Sequence, residues 1–359
     1  MQIESTNIYQ YQPLWGKWQI DELIGQGVFG KVYSISHQDY GFTYTSAVKM
    51  ISIASDDQYR QIEPSICSDE CTRRRHSQGM IQSLVEEVNI LYSLSGYGNI
   101  LGYHDHKIVQ HKDKKGWDIL IRMEYAKPLS SYLTEKQMTM EEVVKLGIDL
   151  STALEICARH GIIHRDIKDE NIFVSDDGVF KLGDFGIAMK LSRNGRSVNM
   201  QGTPSFMAPE VYHNVKYDAS VDIYSLGIVM YRLLNHGRML FMPSYPEPIQ
   251  PNDSRESIEK RMRGEPFQNP DQANNALAKV IKKACAYEAK DRYASPAKMK
   301  EDLEKVLARL SDSARTMLVT MPETQNASRG QSELPAACAV GKSNSPAETL
   351  LTAPIGGRT

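Results

Sequence analysis

The chain has 359 residues, with 42 Lys and Arg against 44 Asp and Glu and a net charge of −2 at neutral pH, a balance that gives no reason to invoke nucleic acid as a partner. It holds no apolar run of about 18 residues, the minimum for a membrane span, and its opening Met1-Gln2-Ile3-Glu4-Ser5-Thr6 lacks the charged and apolar regions of a signal peptide. A cytoplasmic protein with a sizeable core is expected.

Residues 1–17 read as an amino-terminal extension. The first motif is Gly25-Gln26-Gly27-Val28-Phe29-Gly30-Lys31-Val32, set between two short apolar runs. Lys31-Val32-Tyr33-Ser34-Ile35 continues in strand alternation, so these glycines belong to a strand-loop-strand hairpin and not to a dinucleotide-binding turn that opens a helix. Glycines there let backbone N–H groups approach a phosphate with no Cβ in the way, and Phe29 caps the tip. Next comes Ala47-Val48-Lys49-Met50, an apolar strand whose one lysine needs a counter-charge. Glu86 and Glu87 are the candidates. On a helix through residues 82–95, Glu87 shares a face with Leu84, Leu91 and Leu94, whereas Glu86 lines up with Ser83 and Ser93. Glu87 is therefore the inward partner and Glu86 a surface residue.

Residues 52–80 are polar, partly basic and without period, and read as an insertion. Cys67, Cys71 and His76 have a spacing that starts some zinc sites, but no fourth ligand is evident and Arg73-Arg74-Arg75 between them opposes a cation, so a solvated loop is expected. The five cysteines should be free thiols, with Cys157 packed on an apolar helix face. Thr139 and Glu142 form a capping box, Val143, Leu146, Leu150 and Leu154 give the apolar stripe, and Gly161 closes the helix. Immediately after stands His164-Arg165-Asp166-Ile167-Lys168-Asp169-Glu170-Asn171, followed by Asp184-Phe185-Gly186. These two segments supply a carboxylate for a hydroxyl proton, oxygen ligands for a hard divalent cation and a lysine to balance developing charge, which are the needs of phosphoryl transfer from ATP. Further on, residues 221–234 are apolar almost all round and mark a buried helix, whose Asp222 needs backbone donors. Ser295-Pro296 starts a last amphipathic helix, and residues 311–359, rich in small and polar residues, read as a disordered tail.

Taken together, the glycine hairpin, Lys49, Glu87, the 164–171 segment and Asp184-Phe185-Gly186 resemble the eukaryotic-type Ser/Thr protein kinases over residues 18–310. The resemblance implies an α+β, bilobal protein-kinase fold: a small β-rich lobe with one helix (18–126, carrying the insertion 52–80) and a larger helical lobe (127–310). It further implies Asp166 as catalytic base, Lys168 as the cation beside the γ-phosphate, Asn171 and Asp184 as ligands of Mg²⁺ (or Mn²⁺), and a Lys49–Glu87 pair positioning the α and β phosphates of ATP. A lysine two residues after the base is the Ser/Thr pattern. In the cleft, Gly25, Gly27, Phe29 and Gly30 would cover the phosphates; adenine would sit below Val32 and Ala47 and above Phe173, bonded to the backbone at Glu124 and Ala126 behind the gatekeeper Met123.

Gly202-Thr203-Pro204-Ser205-Phe206-Met207-Ala208-Pro209-Glu210 resembles the end of an activation segment beginning at Asp184-Phe185-Gly186. By the same resemblance Thr203 touches Asp166 and Lys168, Glu210 pairs with Arg292, and Arg165 receives a phosphorylated loop residue, for which Ser192 and Ser197 are the available acceptors. Both catalytic carboxylates, Asp166 and Asp184, are expected in solvent-lined loops. Asp169 departs from the family, which usually has Pro there, and reads as a loop cap; Tyr224 stands where Trp is common, and Arg232 where a carboxylate recognising basic substrates is found. Stretches around Leu233–Arg238 and Lys283–Tyr287 are similar to a group of bacterial Ser/Thr kinases. Protein substrates are the implied partners. Two alternatives compete, a pseudokinase scaffold and a small-molecule phosphotransferase on the same fold; the complete catalytic set opposes the first and the Thr203–Glu210 platform the second.

Overall fold

Alternating side chains in the first third of the chain build one antiparallel sheet. In the computed structural model, which describes residues 7–27, 30–53, 85–111, 116–186, 189–190 and 202–319, five strands pair in the order β1-β2-β3-β5-β4. They are β1 (Gln19–Gly27), β2 (Gly30–Asp39), β3 (Phe42–Ile53), β4 (Tyr103–Gln110) and β5 (Trp117–Met123). Phe29, the Cys67/Cys71/His76 group with most of the insertion, and Ser192 and Ser197 lie outside the described residues, as does the unit formed by residues 324–359. The glycine motif is the turn between β1 and β2, with Gly27 opposite Gly30. Gly30 has φ +140°, and a Cβ there would fall 2.2 Å from the Met50 carbonyl oxygen, so only glycine lets the hairpin lie this close to β3. Register then sets Val32 opposite Lys49 and Ala47 opposite Met123.

The amino-terminal extension is part of this lobe. Ile8, Leu14 and Trp18 are buried with Ile20, Tyr33, Ile35, Val48, Met50 and Leu120 in one apolar cluster. The Arg122 guanidinium lies over the rings of both Trp15 and Trp18, at 5.6 and 5.1 Å from their centroids. Tyr11 donates its hydroxyl to the buried carboxylate of Asp118. The sheet's outer face needs an apolar cover, and residues 8–18 provide it.

The second lobe is helical. Its Met140–Arg159 helix starts on the reciprocal Thr139–Glu142 capping box and buries Val143, Leu146, Leu150, Leu154 and Cys157. The Ser220–Leu233 helix is buried on nearly every side and so occupies the centre of the lobe. The Pro296–Arg309 helix, capped by Ser295, lays Met299, Leu303 and Val306 into the same core. Two small sheets complete the interior: β6 (Lys127–Pro128) with β8 (Ile172–Val174) and β9 (Phe180–Leu182), and β7 (Ile162–Ile163) with β10 (Met189–Lys190).

The expected tail boundary at residue 311 is corrected by the packing. Residues 311–319 dock on the large lobe: Ser311 caps a short Asp312–Arg315 helix, Arg315 pairs with Glu141, Met317 accepts the Met140 N–H at 2.8 Å and Val319 donates to Met138 at 2.7 Å. Val319 is 1 % exposed. Composition hid this because one apolar residue and two backbone bonds leave no periodic trace. Ending the chain at residue 310 is expected to lower the thermal midpoint, since burial of a valine alone contributes about 2 kcal/mol; scanning calorimetry of that truncation against the full chain measures it.

Candidate active site

One strand and one helix set the ion pair. Lys49 sits in the middle of β3, where burial of its head would oppose the charge unless anions met it. Glu87 meets it from the 85–93 helix, Lys49 Nζ to Glu87 Oε1 at 3.0 Å, with both residues under one tenth exposed. Glu86, its neighbour, is exposed. A third member was not foreseen: Asp184 Oδ1 lies 2.7 Å from the same ammonium. Burial acts to lower the pKa of Lys49, but Asp184 and Glu87 outweigh it and leave the ammonium above its ordinary value. Burial acts on Asp184 to raise it, and Lys49 outweighs that in turn, holding the carboxyl below its usual range.

Asp184 keeps this position through its backbone and its neighbours. Its φ is +54°, in the left-handed region, and Phe185 next to it is 1 % exposed, packed edge-on to His164 at 4.7 Å. His164 Nδ1 accepts the Asp166 N–H, which assigns the proton to Nε2 and lets it donate to the Gly183 carbonyl at 2.9 Å. Gly183 in turn makes room for Phe173, since a Cβ would stand 2.7 Å from that ring.

The 164–171 segment is fastened from below by Asp222, whose two carboxylate oxygens accept the N–H groups of His164 and Arg165 at 2.8 and 2.9 Å. Burial pushes the Asp222 carboxyl above its ordinary pKa and those two donors pull it back. Asp166 Oδ1 accepts from the Thr203 hydroxyl at 2.7 Å and its N–H at 3.1 Å. Its Oδ2 accepts from Asn171 Nδ2 at 2.9 Å and faces Lys168 Nζ at 2.8 Å. Asp166 is thus 9 % exposed and fully bonded, not a solvent-lined residue as expected; Asp184, with its side chain 35 % exposed, fits that expectation. Thr203 reaches Asp166 because Gly202 adopts φ +122° with a Cβ position only 2.5 Å from the Arg165 carbonyl oxygen, a place closed to any side chain.

The segment after Thr203 is held by two arginines. Arg292, its side chain fully buried, grips Glu210 through two bonds of 2.6 and 2.8 Å and lies 4.7 Å from the Tyr224 ring. Arg261, from the Asp253–Met262 helix, donates to the carbonyls of Pro204 and Ser205, a contact that no motif or spacing signals. Arg165 donates to the Tyr217 hydroxyl at 3.4 Å. At the edge of the cleft Met123 pairs with Ala47 across β5 and β3, Glu124 accepts from Lys181 at 2.7 Å and from the Gly102 N–H at 3.0 Å, and Ala126 ends the connection to β6. Asp169, expected as a loop cap, instead forms an ion pair with Arg232.

A strand-rich lobe and a helical lobe, joined at residues 124–126 and bearing this set of charges between them, define a phosphoryl-transfer fold. The family profile described as the protein kinase domain matches residues 18–303, and the chain belongs to that family. It is 32 % identical over 64 % of its length to mitogen-activated protein kinase kinase kinase 2 of Arabidopsis thaliana, covering 33 % of that protein. It is 32 % identical over 56 % of its length to serine/threonine-protein kinase Nek2 of Homo sapiens, covering 46 %. It is 30 % identical over 56 % to serine/threonine-protein kinase PknB of Mycolicibacterium smegmatis, covering 33 %. The chain spans less than half the length of each of these curated relatives.

Proposed function

We propose that the chain is a Ser/Thr protein kinase that transfers the γ-phosphoryl group of ATP to hydroxyls of protein substrates, its own activation segment included. The observation that carries this reading is the Asp166 carboxylate held by Lys168, Asn171 and Thr203 beside a formed Lys49–Glu87–Asp184 cluster. Asp166 orients the acceptor hydroxyl and takes its proton as the oxygen bonds to phosphorus and the bond to the leaving ADP oxygen breaks. Its four lone-pair positions already hold four donors, so one must yield to the substrate hydroxyl. Lys168, on a flexible stem, is the one that turns toward the γ-phosphate.

The residues present suit a hard divalent cation. Asn171 spends its amide nitrogen on Asp166, leaving the amide oxygen free for a metal, and Asp184 has a second carboxylate oxygen beyond the one facing Lys49. Mg²⁺, when bound, neutralises charge on the phosphates. Lys49, held by Glu87, positions the α and β phosphates; Val32, Ala47 and Phe173 enclose adenine, and the backbone of Glu124 and Ala126 bonds its edge.

Residence in the cytoplasm and kinship with bacterial signalling kinases belong to the same reading. The kinship is supported by the likeness to the mycobacterial protein; no helix among the described residues is long and apolar enough to cross a membrane. Incubating the purified chain with labelled ATP, Mg²⁺ and a cell lysate, with Asp166→Asn as the inactive control, and mapping phosphosites by mass spectrometry tests the activity. Label on Ser and Thr that the control lacks is the expected result; no label in either sample refutes it. A phosphate at Ser192 or Ser197 carries close to two negative charges and would pair with Arg165. Autophosphorylation is therefore expected in this loop, Ser197 slightly favoured, and replacing both serines by Ala should lower turnover about tenfold. Full turnover in that double variant removes the loop from regulation.

A further inference from the structure

The Ser220–Leu233 helix meets the 164–171 segment at two points. Near its start, Asp222 accepts the N–H groups of His164 and Arg165. About 15 Å further along, at 1.5 Å per helical residue, Arg232 forms an ion pair with Asp169. These side chains are 26 % and 7 % exposed, so solvent screens the pair weakly. The other oxygen of Asp169, Oδ1, is buried with no hydrogen-bond partner among the described residues, which leaves Arg232 as the group that compensates this carboxylate.

What Asp169 adjoins gives the contact its meaning. Asp169 opens the single 3-10 turn Asp169–Asn171, and Lys168, at the cap of that turn, makes no side-chain capping bond. Lys168 and Asn171, on either side, are the two residues of the segment whose side chains hold Asp166 Oδ2. An aspartate leaves φ at this position free, where a proline ring would fix it. Without a tertiary tether, the stretch between Asp222's grip and Asn171 would be free to shift, and both bonds to Asp166 with it.

We infer that Arg232 is a positioning residue for phosphotransfer: by clamping Asp169 it fixes the turn that sets Lys168 and Asn171 against Asp166. The same helix then holds the segment at both its start and its middle. This also accounts for an arginine at a place where the sequence suggested a substrate-recognition carboxylate: the guanidinium is turned to the chain's own aspartate. Arg232 acts through Asp169 and the backbone, without touching the nucleotide.

The inference rests on the proposed kinase activity, so wild-type protein and Asp166→Asn run alongside: absence of turnover in the wild type tells against that activity and is distinct from the outcomes below. Full-length Asp169→Ala, Arg232→Gln and the double variant are compared for melting temperature, and for kcat and KM with labelled ATP and casein. Misplacement of catalytic groups predicts a fall in kcat of about 10- to 100-fold in each single variant, with KM for ATP changed by less than about twofold. The double variant should be no worse than the weaker single one, because the two residues act as a unit. Asp169→Asn, which keeps one acceptor for the guanidinium, should recover part of the lost kcat. Wild-type kcat in a folded single variant, losses that multiply in the double, or a loss confined to KM for ATP overturns the inference. Should either single variant fail to fold, Arg232→Lys retains the charge but not the planar fork; unchanged kcat there also overturns it.

Discussion

Asp166→Asn and Asp184→Asn will each abolish turnover but will separate on nucleotide binding. Both lose a carboxylate, and loss of a base or of a metal ligand removes on the order of 10²- to 10⁴-fold in rate. Their surroundings differ. Asp184 faces Lys49 in the part of the cleft assigned to the phosphates, so its amide should weaken Mg²⁺-ATP binding. Asp166 is bonded to Thr203, Asn171 and Lys168, none of which is among the assigned adenine contacts, and its amide should leave nucleotide affinity nearly unchanged. A second difference follows from burial. Asn at position 166 turns an N–H₂ toward donors already aimed at that carboxylate, a mismatch that costs about 1 to 3 kcal/mol; the half-open site of Asp184 avoids it. Calorimetric titration with Mg²⁺-ATP and a thermal melt of each variant decide both points. Equal loss of nucleotide affinity in the two proteins contradicts the roles assigned here.

Removing either end of the Lys49–Glu87 pair will cost far more than removing the second end once the first is gone. The two groups are buried at 3.0 Å; loss of Lys49 leaves Glu87 a buried charge without its partner, a change that costs about 3 to 5 kcal/mol, whereas loss of Glu87 leaves Lys49 only Asp184. Lys49→Met and Glu87→Gln should each depress kcat/KM strongly, and the double variant should fall well short of their sum. Glu86→Gln, at the exposed neighbour, should change little. The presence of Asp184 in the same cluster adds a pH signature. Lys49 holds the Asp184 carboxyl below its usual pKa against the opposing effect of burial. Its contribution is therefore present at neutral pH and above, and is lost as pH falls through the depressed folded value. In Lys49→Met only burial remains, so the carboxyl titrates at higher pH and the acid limb of nucleotide binding moves up with it. Additive losses in the cycle, a larger effect from Glu86→Gln than from Glu87→Gln, or an acid limb that stays in place counts against the cluster.

Much of the site could be read from spacing, and the reason is local. Residues 164–171 and 184–186 are short segments in which chemistry demands particular side chains close together in sequence. Glu87 was separable from Glu86 because helical period assigns each a face. The capped helix at Thr139 and the buried helix over 220–233 follow from the same kind of short-range rule. Three contacts between distant segments escaped. Lys49 meets Asp184 across 135 positions of sequence, Arg261 meets Pro204, and Arg232 meets Asp169; nothing within a few residues of either partner marks these pairings. The docked residues 8–18 and 311–319 were missed because a few isolated apolar side chains resemble linker composition until a face to cover is known.

The sequence alone determined the protein's class, since the glycine hairpin, Lys49, Glu87, the 164–171 segment and Asp184-Phe185-Gly186 follow one another in the order that the kinase resemblance requires. It also determined which helices form, because caps and apolar period act within a few residues. The tertiary structure decided that four donors from two stretches of chain, two from Thr203 and one each from Lys168 and Asn171, fill the Asp166 carboxylate, and that Arg232 joins Asp222 in fastening that segment to the central helix. The physical reason is that charge pairing between groups far apart in sequence depends on where burial brings them, and burial is a property of the whole packed lobe.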